Sequence, residues 1–104
     1  MKAAIRDDDP VVILENEIMY GVEFETNERI MDMDFVISIG KAKIERTGTD
    51  CTVTAHSKMV GYTLAAAEIL KKDHDISIEV INLRSLRPLD RPCILKSVKK
   101  THRI

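Results

Sequence analysis

Cysteine is scarce in this 104-residue sequence: Cys51 and Cys93 are the only two, one in a strand-like run and one in a helix-like run. No Cys-x-x-Cys pair and no Cys/His cluster with zinc spacing occurs, so no zinc site is expected from them. They read as two reduced cysteines of an intracellular protein. Long apolar runs are missing too, and none approaches the roughly 20 residues that a membrane-spanning helix needs. Neither charge is in excess, because sixteen basic residues against seventeen acidic ones leave a net charge of -1. A nucleic-acid surface needs a basic excess or a basic face, and none stands out. The first residues lack the pattern of a secretory signal: the charges come early and the apolar run ends at Glu15 and Glu17. The Arg-rich, acid-poor look of a mitochondrial leader is also absent. No Walker loop, GxGxxG, nucleophile elbow or HExxH motif occurs, so no complete catalytic constellation is visible.

What is present is 44% hydrophobic and 32% charged residues in a length suited to one core, the composition of a globular chain. Residues 11–14, VVIL, are continuous and β-branched behind Pro10, which predicts a strand buried on both faces. Residues 16–34 are polar and irregular, too long for an ordinary connection, and read as a linker. Extended pieces follow in FVISIG and KAKIER, with a turn at Gly48. Residues 51–56, CTVTAH, predict a strand, and Ser57 is placed to cap a helix over residues 58–72. In that helix Val60, Leu64, Ala67 and Leu70 recur at helical spacing. A further strand is predicted over 76–83, then a helix capped by Asp90, with Pro92 in its first turn and Ile94, Leu95 and Val98 as its apolar stripe. The terminal THRI reads as the opening of a third strand. Strand and helix alternating in this way predict an α/β fold, a parallel sheet with flanking helices, truncated at both ends.

Three consecutive aspartates, Asp7, Asp8 and Asp9, follow what reads as the last turn of a helix. Like charges on neighbours repel, so they need water or a cation. A helix end exposes carbonyls without intrahelical partners and carries partial negative charge. The carbonyls of Ala4 and Ile5 and the carboxylates of Asp7 and Asp9 can therefore converge on one cation if the chain turns between the two aspartates. All-oxygen ligation selects a hard cation. A solvated turn is the alternative, and the residues alone leave both open. His56 and Ser57 lie at the carboxyl edge of a strand, where open α/β sheets bind ligands, and Arg84 and Arg87 flank the same edge. A capping role for Ser57, and internal or interface pairing for the arginines, explain them as well. Met19 and Met59 read as core or contact filler.

Four blocks in order, AAIRDDDPVVILENEIMYG, IGKAKIERTGTD, SKMVGYTLAAAEIL and EVINLRSLRPLD, resemble the pyruvate dehydrogenase beta-subunit family. Branched-chain 2-oxo acid dehydrogenase beta subunits share the architecture, but ENEIMYG and GKAKIER are similar to the pyruvate version. The resemblance implies that residues 1–15 are the tail of a pyrimidine-binding domain, 16–35 a linker and 36–104 a partial transketolase C-terminal-like domain. It implies a potassium ion held by Ala4 and Ile5 through main-chain carbonyls and by Asp7 and Asp9 through side chains, with a further ligand upstream of residue 1. At Asp9 the sequence departs from the family, in which an asparagine is usual.

The family's cofactor is thiamine diphosphate, and its catalytic glutamate and diphosphate contacts correspond to no residue here, so no catalytic residue is assigned. The implied partners are the alpha subunit, a second beta subunit and the dihydrolipoyl acetyltransferase, with no nucleic acid and no membrane. The implied location is the mitochondrial matrix, with a plastid or a bacterial cytoplasm as alternatives. Decarboxylation of pyruvate and acetylation of lipoyl groups would be the work of the parent enzyme, and this segment would serve potassium binding and assembly. A non-catalytic binding module for partners of the complex is the competing expectation.

Overall fold

The computed structural model describes residues 1–23 and 25–104, which form two compact units, Met1–Ile39 and Gly40–Ile104. The first unit opens with a one-turn helix, α1 (Lys2–Ile5), and contains two 3-10 turns, Glu17–Met19 and Glu28–Met31. Side chains from α1 and its end tie it to the later turn. Lys2 Nζ donates to the carbonyls of Ile30 and Asp32 at 2.8 and 2.7 Å, and Arg6 donates to that of Met33 at 2.5 Å. The Asn16 side chain accepts from Ile18 N at 3.1 Å and so caps the first 3-10 turn, as its polar amide is suited to do.

The strand expected at residues 11–14 does not form, and Val12 and Leu14 are largely exposed. A strand exists only through a neighbour that accepts and donates along its ladder. Among the described residues no hydrogen bond engages 11–14, so β-branching alone leaves the segment extended without pairing. The extended piece expected from Phe35 onward is likewise no strand.

The second unit holds β1 (Lys43–Arg46), β2 (Cys51–Ala55), α2 (Lys58–His74), β3 (Ile78–Asn82) and α3 (Arg91–Thr101). The sheet order is β1-β3-β2, with β3 in the centre. β2 and β3 run parallel, from Cys51 opposite Ile78 to Ala55 opposite Asn82, and α2 makes the crossover that parallel strands require. β1 joins β3 antiparallel, with a register shift between Ile44 and Arg46, so the small sheet is mixed rather than wholly parallel. The α/β class and the parallel pairing of the two expected strands hold.

Alternation along the strands divides the unit into three layers. Cys51, Val53, Ile78 and Val80 meet Leu64, Ala67 and Leu70 of α2, and this is the apolar core. Thr52 and Glu79 point the other way, toward α3, to which both are hydrogen-bonded. The helical face predicted for α2 is the one buried. The stripe predicted for α3 holds in part: Ile94 and Val98 are half-buried beside the fully buried Ser97 and Thr101, whereas Leu95 is turned outward and 58% exposed. Ser97 and Thr101 meet Thr52 and Glu79 on that side of the sheet, and by alternation the fully buried Ile81 shares the face of Glu79. At the chain's last residues no strand forms among 101–104, but Arg103 O accepts from Thr52 N at 2.8 Å beside β2.

Candidate functional site

α1 ends at Ile5, so Ala4 and Ile5 do lie in the last turn of a helix. The carbonyls that close this turn are those of Met1 and Ala3, which accept from Ile5 N and Arg6 N at 3.1 and 3.2 Å. Among the described residues no backbone donor reaches the carbonyl of Ala4 or Ile5. Two residues past the helix, Asp7 Oδ1 accepts from Asp9 N at 3.1 Å, an Asx turn that folds the chain between the two aspartates. Ala4 is half-buried and Ile5, Asp7 and Asp9 are exposed. The residues present fit a hard cation by donor chemistry, since carbonyls without donors and carboxylates are all oxygen. Among the described residues no three His, Cys, Asp or Glu side chains are grouped to hold a metal, so a cation here depends on the main chain.

A second constellation, in the Gly40–Ile104 unit, escaped sequence reasoning. Thr52 Oγ1 lies 2.6 Å from Ser97 Oγ and 2.7 Å from Thr101 Oγ1, all three buried. Ser97 and Lys100 both donate to Glu79, and Gly48 N donates to Glu79 Oε2 at 3.3 Å. Burial pushes the Glu79 carboxyl up, but the bonds from Lys100, Ser97 and Gly48 outweigh it and hold it below the usual glutamate value. Among the described residues no buried side-chain oxygen or nitrogen is left without a partner. Every group in the network is satisfied, as a buried polar packing device requires. Two signals were readable: a lone glutamate in the apolar run ISIEVINL, and Ser97 and Thr101 four apart on one helix face.

The edge residues separate. Ser57 stands at the N-cap position of α2 at φ 53, and its side chain makes no cap hydrogen bond. Its neighbour His56 is exposed. Arg84 is an internal brace, donating from Nε to Lys41 O at 3.1 Å and from an Nη to Ala42 O at 3.2 Å. Arg87 is exposed and not drawn into it. Asp90 caps α3 as expected, accepting from Cys93 N at 3.3 Å, and also from Ala42 N at 3.0 Å. The bond from Ala42 leads in holding its carboxyl below the usual aspartate value. Met19 and Met59, expected as filler, are 39% and 55% exposed.

The model of the transketolase C-terminal domain matches residues 40–104, the whole of the second unit. The chain belongs to the transketolase C-terminal domain family. Within that family the resemblance to pyruvate dehydrogenase beta subunits runs over the full length. The mitochondrial pyruvate dehydrogenase E1 component subunit beta of Pisum sativum is 62% identical over all 104 residues. Those of Chaetomium thermophilum and Rattus norvegicus are 60% and 57% identical over the same span. The chain covers 29%, 27% and 29% of these three relatives' lengths. A solved structure described as a split gene transketolase, inactive beta4 tetramer, is similar with a TM-score of 0.61 and 29% identity. The match covers 66% of this chain and 23% of that one. Membership accounts for the parallel β2–α2–β3 unit.

Proposed function

We propose that the chain serves in the beta subunit of a thiamine-dependent pyruvate dehydrogenase, which decarboxylates pyruvate and acetylates the lipoyl groups of the acetyltransferase in the mitochondrial matrix. The observation that carries this reading is 62% identity sustained over all 104 residues with the Pisum sativum beta subunit. Thiamine diphosphate supplies the nucleophile for the 2-oxo acid in such an enzyme. No residue of this chain is assigned to it. Residues 1–15 are read as the tail of the pyrimidine-binding domain, 16–35 as linker and 36–104 as part of the transketolase C-terminal-like domain.

The chain's own contributions are a potassium site and subunit assembly. Potassium is assigned to the carbonyls of Ala4 and Ile5 and the carboxylates of Asp7 and Asp9. The donor-free helix-end carbonyls and the Asx turn support that assignment. The alpha subunit and a second beta subunit are the assembly partners, and the solved relative described as a beta4 tetramer supports association between beta chains. Docking of the acetyltransferase is part of the same proposal, supported by the full-length similarity to pyruvate dehydrogenase beta subunits.

A graft tests the reading. Residues 1–104 replace the matching segment of the Pisum sativum beta subunit, which is co-expressed with its alpha subunit. Decarboxylation of pyruvate within about tenfold of the parent is expected, a barrier change near 1.4 kcal/mol. Failure to assemble with the alpha subunit overturns the reading, and so does assembly without turnover.

A further inference from the structure

The near-neutral net charge conceals a basic surface. Residues 83–104 carry seven cations, Arg84, Arg87, Arg91, Lys96, Lys99, Lys100 and Arg103, all exposed, against one carboxylate, Asp90, which is buried. Arg84 is spent on carbonyls and Lys100 on Glu79. Among the described residues Arg91, Lys96, Lys99 and Arg103 have no acidic partner. The Asp50 carboxylate accepts from Ser77 N at 2.6 Å, and the Arg103 guanidinium reaches Asp50's carbonyl rather than its carboxylate.

We infer that the outward face of α3 is a docking surface for an acidic polypeptide segment. With Ser97 and Thr101 buried, Pro92, Leu95, Lys96 and Lys99 lie within about 100° of one another on the opposite side. Arg91 stands at one end of the face and Arg103 beyond the other. The helix is about 16 Å long, the span of about five extended residues. The helix dipole accounts for lysines in the last turn but not for Arg91 in the first, where a cation is unfavourable. Residues 83–104 contain no Phe, Tyr or Trp on which a base would stack, which disfavours nucleic acid. Leu95 is the only large aliphatic side chain of α3 turned outward, too little for burial in a lipid interface. An acidic segment needs only the spaced cations and one apolar contact. This inference does not rest on the potassium or dehydrogenase reading.

The test is fluorescence anisotropy of a labelled twelve-residue peptide of alternating Glu and Leu against the full 104-residue chain. Binding is expected to weaken as ionic strength rises to about 0.15 M, where the screening length is about 8 Å. The doubly substituted K96E/K99E chain is expected to bind about tenfold more weakly. A K58E/K72E chain, with the same net charge change on α2, is expected to stay within about twofold. K96Q/K99Q repeats the loss without introducing acids, and K96R/K99R restores binding. Equal loss in the α2 and α3 variants overturns the inference, because only net charge then acts. Tighter binding to phosphatidylserine vesicles or to oligo-dT than to the peptide overturns it as well.

Discussion

Gly48 shows how much a single residue decides. It is buried in the turn before β2, and a Cβ there would lie 2.2 Å from Ile78 C and 2.3 Å from Glu79 N. Both are backbone atoms of the central strand, so neither can swing aside. Gly48→Ala is expected to cost about 3 kcal/mol or more, read as a lower urea midpoint at unchanged slope. Glu79 is the second decisive residue. Glu79→Gln keeps the shape but weakens the bonds from Lys100, Ser97 and Gly48, with an expected loss of about 1–3 kcal/mol. The pH dependence follows from the lowered Glu79 pKa. The folded carboxyl binds its proton at lower pH than the unfolded one, so the stabilisation is complete above the unfolded value of about 4.3. It is lost as pH falls from there through the folded value. Urea midpoints taken from pH 7 to pH 3 are expected to hold to about 5 and then drop. Glu79→Gln is expected to flatten that drop, and an unchanged profile would reject Glu79 as its source.

Among the elements, α3 docks with a buried hydrogen-bond network at its centre. It enters on the Asp90 cap and lies on Thr52 and Glu79. Thr52→Val removes the hydroxyl shared by Ser97 and Thr101 while preserving volume. Its expected cost is about 1–3 kcal/mol, because two buried hydroxyls lose a partner. Hydrogen exchange is expected to speed up in α3 ahead of α2, whose contact with the sheet is apolar. The sequence announced β2, α2, β3 and α3 because each carries a local signal: β-branched runs, the Val60–Leu64–Ala67 spacing and the Asp90–Pro92 helix start. It placed Ile94 and Val98 on the inward side of α3 but also Leu95, which is turned outward, and nothing local says that Ser97 and Thr101 meet a threonine and a carboxylate. It overstated 11–14 because strand formation depends on a neighbour that local sequence does not name. The helix end at Ala4 and Ile5 was legible in the sequence, while the turn from Asp7 to Asp9 was only a condition of the cation reading and is supplied by the bond from Asp9 N to Asp7 Oδ1. The Glu79 network was not legible, since Glu79, Ser97, Lys100 and Thr101 stand 27 to 49 residues from Thr52 in sequence and meet it only in the folded unit.

At the scale of the molecule, the proposed cation site and the family domain fall in different compact units. The Met1–Ile39 unit holds the proposed cation site, and the Gly40–Ile104 unit is the family domain. Potassium is expected to raise the melting temperature of the full chain by a few degrees over sodium at equal ionic strength. Asp7→Ala is expected to remove that increment, whereas Asp9→Asn, which keeps a side-chain oxygen at that position, is expected to retain it. An equal response to both ions would dismiss the assignment. Assembly is the central claim, and immunoprecipitation from source cells tests it most directly, using an antibody against residues 17–32. The account predicts that the alpha subunit of pyruvate dehydrogenase comes down with the antigen in equal amount. Recovery of the antigen without any alpha subunit would contradict it.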